Sequence, residues 1–136
     1  MYPWHEKIAM QMNNPFKIIV STEENGFPLH WHQEIEIVYV PDGTMQIEVH
    51  KTSYAPEPGD LLFIGSCELH HFVPNPQGCH KMILQLGGSA FEDCADLVFG
   101  HRFVAPRIVV GMSQHPWLSQ AAQAVYEEWR EISTRA

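Results

Sequence analysis

The sequence predicts a mainly β domain, a sandwich or barrel, followed by C-terminal helices. Three observations lead there. Short β-branched and aromatic segments recur about every 10–15 residues up to residue 87, with Pro/Gly turns between them. One of them, "TMQIEVHK", alternates: Met45, Ile47 and Val49 take one face, Gln46, Glu48 and His50 the other. Near the end the period changes, and Leu118, Ala121, Val125, Trp129 and Ile132 fall at helical spacings of three and four.

Residues 1–15 read as an arm with little periodicity. Phe16 to Thr22, "FKIIVST", is a first strand, and "ENGFP" is a loop of turn formers. "HWHQEIEIVYV" is β-branched and aromatic enough to read as one strand, and "PDG", Pro41 to Gly43, is a β-turn in which Gly43 takes a positive φ. "TMQIEVHK" returns from it as a half-buried strand. "APEPGD" turns again, "LLFIG" is a short apolar strand, "SCELHHFVPNPQG" mixes a strand with a loop, and "HKMILQL" is a further strand. Ser89 and Glu92 stand at capping-box spacing ahead of Gly100, which suggests a short helix, and "RFVAPRIVVG" reads as one more extended segment. The final helix starts at Pro116, suited to a first turn, and runs to about Ser133. The boundaries expected are an arm over 1–15, a β-barrel over 16–112 and a helix over 113–136.

A chain of 136 residues can build one domain with a core. Its net charge of −8, from 16 acidic and 8 basic residues without a basic cluster, argues against direct binding to nucleic acid. No apolar run is long enough to span a membrane, and the N-terminus lacks a secretory layout, so a cytoplasmic location is expected. Cys67, Cys79 and Cys94 form no CxxC pair and read as reduced, small buried hydrophobes. There is no Gly-rich phosphate loop, no GxSxG and no nucleophile beside a base, so no catalytic residue is assigned.

Nine histidines are many for this length, and the chemistry gathers in "HWHQEIEIVYVPDG". On an unbroken strand His30, His32, Glu34 and Glu36 share one face. Turned inward, two imidazoles and a carboxylate can hold one ion, and His70 from "CELHHF" is the natural third imidazole. The opposite face carries Trp31, Ile35, Ile37 and Tyr39. By amphipathicity alone that more apolar face would turn inward and the His/Glu face would meet water. Phe72 and Gln85 are candidates for lining a pocket, with core packing the alternative for Phe72. His71 and His80 read as surface or loop histidines, Glu34 as a rim or surface acid, and Trp4 and His5 as arm residues able to cover a barrel mouth.

The stretch from His30 to Gly43 resembles the first motif of the cupin superfamily, G-x5-H-x-H-x3,4-E-x6-G. His30, His32, Glu36 and Gly43 stand at its spacings, while Gly26 lies one residue too close to be the leading glycine. The second motif, G-x5-P-x-G-x2-H-x3-N, is matched more loosely. Gly59 and His70 are correctly separated, but Gly65, Cys67 and Pro74 stand where Pro, Gly and Asn are usual. "FPLHWHQEIEIVYVPDGTMQIEV" with "PEPGDLLFIGSCELHHF" is similar in particular to the N-terminal sensor domain of AraC-family transcriptional regulators.

That resemblance implies a cupin-type double-stranded β-helix, or jelly-roll barrel, with His30, His32, Glu36 and His70 facing its interior. It implies a ligand site for a small polar effector such as a sugar or small acid, with Phe72 and Gln85 the candidates for lining it. It also implies a possible divalent transition metal (Zn, Ni, Fe or Mn) on those three histidines and the glutamate. The last helix would form a homodimer, with packing back on its own barrel the alternative, and DNA would be reached only through a domain outside this chain. The alternative is a stand-alone cupin metalloenzyme of the dioxygenase, isomerase or decarboxylase type.

Overall fold

The computed structural model describes residues 3–10, 14–22, 26–91, 96, 108–109 and 114–135. In chain order the strands are β1 (Trp4–His5), β2 (Phe16–Ser21), β3 (Phe27–Trp31), β4 (Ile35–Asp42), β5 (Ile47–Val49), β6 (Thr52–Tyr54), β7 (Leu61–Ile64), β8 (His70–Phe72), β9 (His80–Leu86) and β10 (Ile108–Val109). A 3-10 turn at Gly88–Ala90 follows β9, and the helix α1 spans Pro116–Arg135. The strands form two five-stranded sheets, ordered β1-β3-β8-β5-β6 and β10-β7-β4-β9-β2. All pairings are antiparallel except that of β1 with β3. This is the jelly-roll layout expected of the β segments.

The expected single strand "HWHQEIEIVYV" is two strands. β3 ends at Trp31 in one sheet, and β4 begins at Ile35 in the other. The chain crosses between sheets at 32–34, so alternation does not carry through the segment. His30 and His32 reach the interior from one side and Glu36 from the other.

On β4 both faces are covered. Val38 and Val40 join Met45, Ile47, Leu62, Ile64 and Phe72 in the cluster between the sheets. Tyr39 joins Leu61, Met82 and Tyr126 in a second cluster, where Ile37, Leu118 and Ala122 also pack. Tyr126, Leu118 and Ala122 belong to α1, so the helix lies on the outer face of the second sheet. The face carrying Ile35, Ile37 and Tyr39 therefore points outward, as its partner face holds Glu36. It is apolar because the helix shelters it, which is why amphipathicity alone could not orient this strand.

The strand expected over "TMQIEVHK" is shorter. It ends at Val49, and β5 turns into β6 through His50 and Lys51, whose φ values are +48° and +69°. Two positive φ values in a two-residue connection match the twist of a hairpin, although neither residue is the usual Gly or Asn. His50 is thus a turn residue, not an outward strand residue. Cys67 is exposed at φ +63°, and its amide donates to the His32 carbonyl at 2.8 Å, so it is not the buried hydrophobe expected. Cys79 is buried as expected. Cys94, and most of the short helix expected between Ser89 and Gly100, lie outside the described residues.

Two glycines at positive φ differ in what surrounds them. Gly43 sits at φ +77°, and a Cβ there would make only ordinary contacts with Cys79, at 3.8 Å and beyond. Gly26, at φ +72°, would drive a Cβ to 2.3 Å from the Phe72 carbonyl oxygen. Gly43→Val should cost about 1–3 kcal/mol, the backbone strain alone. Gly26→Ala should cost more despite its smaller side chain, because backbone must move. Denaturant unfolding of both variants checks the order; a smaller loss for Gly26→Ala would show that the contact with Phe72 relaxes freely.

Candidate metal and ligand centre

His30, His32, Glu36 and His70 meet between the two sheets, 2%, 1%, 1% and 0% exposed. β3 supplies His30, and β8 supplies His70 directly across the ladder from it. The sheet crossing supplies His32, and the start of β4 on the opposite sheet supplies Glu36. Ring centroids of His30 and His70 are 4.1 Å apart, those of His32 and His70 5.0 Å, and those of His30 and His32 5.5 Å. One ring nitrogen from each histidine lies within 4.8 Å of the others.

Each imidazole is oriented by the backbone. The Nδ1 of His30 is 2.8 Å from the Pro28 carbonyl, that of His32 3.0 Å from the Glu34 carbonyl, and that of His70 2.8 Å from the Glu68 carbonyl. A carbonyl only accepts, so each Nδ1 carries a proton; the Nε2 of His30 and His70 is left with a lone pair, while that of His32, when protonated, donates to Glu36. Holding imidazoles through Nδ1–H is how metal-binding histidines are usually fixed.

Glu36 completes the electrostatics. Its Oε1 is 3.2 Å from His32 Nε2 and accepts a 3.0 Å hydrogen bond from Gln85 Nε2. Its Oε2 is 3.6 Å from His70 Nε2, and neither of those two buried atoms has a hydrogen-bond partner among the described residues. Two acceptors facing each other call for a cation between them. Burial favours the neutral acid, but the hydrogen bond to His32 and the nearby imidazoles outweigh it and hold Glu36 well below the usual carboxylate range. Burial likewise opposes charge on His32, and Glu36 outweighs it, so His32 is raised above its ordinary value. Burial prevails at His30, which is lowered, and at His70, which falls to about 4. The centre thus holds one anion, one imidazole ready to be protonated, and two neutral imidazoles. These residues fit a divalent transition metal in donor type, tautomer and charge.

A cavity of about 130 Å³ opens beside the centre, lined by His30, Glu36, Phe72, Gln85, Glu6 and Lys81 among others. Phe72 and Gln85 therefore reach the position expected of them, Phe72 while also packing in the core. Glu34 is half-buried at the crossing and orients His32 through its backbone. His71 and His80 stay outside the centre, facing Glu48 at 3.4 Å and Asp42 respectively. On the arm, Trp4 and His5 pair with His30 and Trp31, the Glu6 amide donates to the Trp31 carbonyl at 3.0 Å, and the Glu6 carboxylate comes within 3.9 Å of His30 Nε2.

Three residues escaped the sequence reading. Glu6 sits in an arm without periodicity and carried no signal. Glu68 is 2% exposed, accepts from the Gly65 amide at 2.6 Å, and holds the turn before His70. Lys81 did carry a signal: it shares strand parity with Ile83 and Gln85, so an inward Gln85 implies an inward Lys81.

A family model described as the AraC-like ligand binding domain matches residues 16–135. An uncharacterized HTH-type transcriptional regulator of Bacillus subtilis, YdeC, is 36% identical over 56 residues, which are 40% of this chain and 19% of that regulator. Among solved structures, an RmlC-like cupin from Shewanella frigidimarina is similar at 20% identity, over 58% of this chain and 70% of that one, with a TM-score of 0.49. A variant of Bacillus subtilis oxalate decarboxylase is similar at 21% identity, over 56% of this chain and 22% of that one, with a TM-score of 0.43. With the family model covering the strands and the final helix alike, the chain belongs to the AraC-like ligand binding domain family.

Proposed function

We propose that this chain senses a small molecule and dimerises as part of an AraC-type transcriptional regulator. In this reading residues 1–15 form an arm over the pocket mouth, 16–112 the barrel and 113–136 the pairing helix. The observation that carries it is that α1 has two working faces. Leu118, Ser119, Ala122 and Tyr126 turn toward the barrel. Trp117, Val125, Trp129 and Ile132 point outward, 68%, 44%, 37% and 53% exposed. The apolar stripe read from the sequence thus divides: Leu118 goes to the barrel, and the rest is left to meet its twin across a two-fold axis. A catalytic cupin has no need of that second face.

DNA contact would belong to another part of the regulator, since a net charge of −8 gives this chain no attraction for phosphates. Among the described residues no helix is long and apolar enough to cross a membrane. A regulator of this kind works beside the chromosome, so we place it in the cytoplasm.

The centre suits a Zn, Ni, Fe or Mn ion held by His30, His32, Glu36 and His70. When bound, such an ion supplies a Lewis-acidic position for an effector oxygen. Gln85 keeps Glu36 aimed at the centre, and three backbone carbonyls keep the imidazoles in the ligating tautomer. An effector entering here would bear on Glu6, and so on the arm; only an effector that favours one arm or dimer arrangement shifts the regulator's state.

Three outcomes are expected. First, a Val125→Glu, Ile132→Glu double variant should stay folded, because both residues are exposed, and should sediment as a monomer. Burying Val125 and Trp129 in the wild-type dimer contributes on the order of 2–3 kcal/mol each. A wild type that is monomeric at high concentration overturns the dimer.

Second, protein made without a histidine tag should carry about one transition metal per chain, as the three-histidine centre found among the described residues implies. Elemental analysis should find it lost in His32→Ala. Affinity should fall as pH falls, because protons compete for His32. No metal after incubation with Zn, Ni, Fe and Mn removes the metal.

Third, metal-free protein should lose stability as pH falls below 6.5. The unfolded His70 takes its proton there, and the folded one only near pH 4. The effect is on the order of 3 kcal/mol in full. The raised His32 acts in the opposite sense, with its contribution complete at low pH and lost as pH rises through its folded value. Thermal unfolding of His70→Gln between pH 6.5 and 4.5 should therefore show a flattened or reversed slope; the wild-type slope would refute the assignment to His70.

A further inference from the structure

We propose that Glu6 brings the arm into the centre as a further carboxylate ligand, so that a divalent transition metal there fastens residues 4–6 to the barrel. The inference rests on the metal centre proposed above and extends it to the arm.

Trp4 and His5 pair with His30 and Trp31 as a two-residue parallel strand. The His5 ring stacks on that of Trp31 at 4.0 Å, Trp4 meets Phe27 at 5.8 Å while staying 50% exposed, and the Glu6 amide donates to the Trp31 carbonyl. A strand this brief sits at the low end of local stability, where one added bond decides whether it stays closed. Its register decides where Glu6 goes. Trp4 and Glu6 share strand parity, and both face His30. Glu6 thereby lines the cavity that His30 and Glu36 also line, while the next residue, Lys7, is exposed.

In that cavity Glu6 Oε1 lies 3.9 Å from His30 Nε2. That nitrogen presents a lone pair, because the His30 ring keeps its proton on Nδ1 against the Pro28 carbonyl. A carboxylate oxygen therefore faces an imidazole lone pair, as Glu36 Oε2 faces His70 Nε2 on the other side. The separation is too long for a hydrogen bond. It suits a shared cation, because two ligands of one ion, each at about 2.1 Å, stand up to about 4.2 Å apart.

Charge points the same way. Three neutral imidazoles and Glu36 would leave a buried divalent ion with one positive charge in excess. Glu6, its side chain only 26% exposed, cancels that charge where water does little to screen it. Three imidazoles and two carboxylates also exceed the donors of a tetrahedral zinc site. They suit an ion that accepts more ligands, such as Mn.

Trypsin reads the arm directly, because Lys7 follows Glu6 and is exposed once the arm lifts. With Mn bound, cleavage of the wild type after Lys7 should slow about tenfold or more relative to metal-free protein, as a ligand that binds only the closed arm implies. Glu6→Gln keeps the side chain's size and its amide bond to Trp31. In chelator competition it should hold Mn about tenfold more weakly, the lower end of what losing a supporting group at a metal site costs. At saturating Mn it should show no protection at Lys7. Glu6→Ala should behave alike, which decides the matter if Glu6→Gln folds poorly. Equal Mn affinity in wild type and variants, or protection at Lys7 that survives in the Mn-loaded variants, would overturn the ligation by Glu6 and leave the four-residue centre standing. A wild type that takes up no metal at all would remove the centre itself, and the fastening of the arm with it.

Discussion

A carboxylate 1% exposed in a β-sandwich is costly unless its charge is matched, and much of this domain's interior is arranged around that of Glu36. His32 answers it with a proton, and Gln85 with an N–H. His70 meets it with a lone pair, which leaves the pair frustrated until a cation joins. The backbone supports each answer: carbonyls of Pro28, Glu34 and Glu68 hold three imidazoles by Nδ1, two residues away in sequence in every case. Because the constraint is local to each histidine, the centre does not depend on one long strand. It depends on two sheets being brought face to face, and the apolar cluster between them does that.

Much of the fold was legible because turns announce themselves. Pro/Gly segments mark where strands end, and the helical period of α1 is plain. The centre was legible for a different reason. Spacing of His30, His32 and Glu36 identified it through resemblance, while periodicity argued for a strand that does not exist. The crossing at 32–34 breaks the alternation, and no residue there is a glycine or proline to signal it. Orientation of β4 was hidden because both its faces are apolar wherever they are not functional. The hairpin at His50 and Lys51 was hidden for the opposite reason, since residues that seldom accept positive φ occupy it. Lys81 was hidden because an alternating strand usually turns a lysine toward water.

The helix illustrates how one stripe can serve two surfaces. Spacings of three and four predicted a single apolar band, but Leu118 of that band packs on the sheet while Ala121, Val125, Trp129 and Ile132 are exposed. A helix lying on a sheet needs a band of its own, and here it is displaced around the axis and built from Leu118, Ser119, Ala122 and Tyr126. Ser119 and Tyr126 do not score as strongly apolar, so the buried face reads weaker in sequence than the exposed one. Hydrophobicity alone therefore assigns the wrong face to the core, and only the sheet's own residues settle which side packs.

β4 ties the centre to that helix. Glu36, Val38 and Val40 point between the sheets, while Tyr39 points out and donates a 2.6 Å hydrogen bond to Gln123 Oε1 on α1. Residues of alternate parity on one strand move together, so a shift of β4 that relieves or tightens the contacts of Glu36 is also a shift of the bed under α1. The arm joins from the other sheet, through the pairing of Trp4 and His5 with the strand that carries His30. A cation or effector at the centre would therefore bear on β3, which the arm joins, and on β4, which the helix packs over. Whether it moves either depends on differential contacts in two arrangements, not on proximity. The frustrated His70–Glu36 contact is a place where such a difference can arise, since neither of those facing atoms has a hydrogen-bond partner among the described residues.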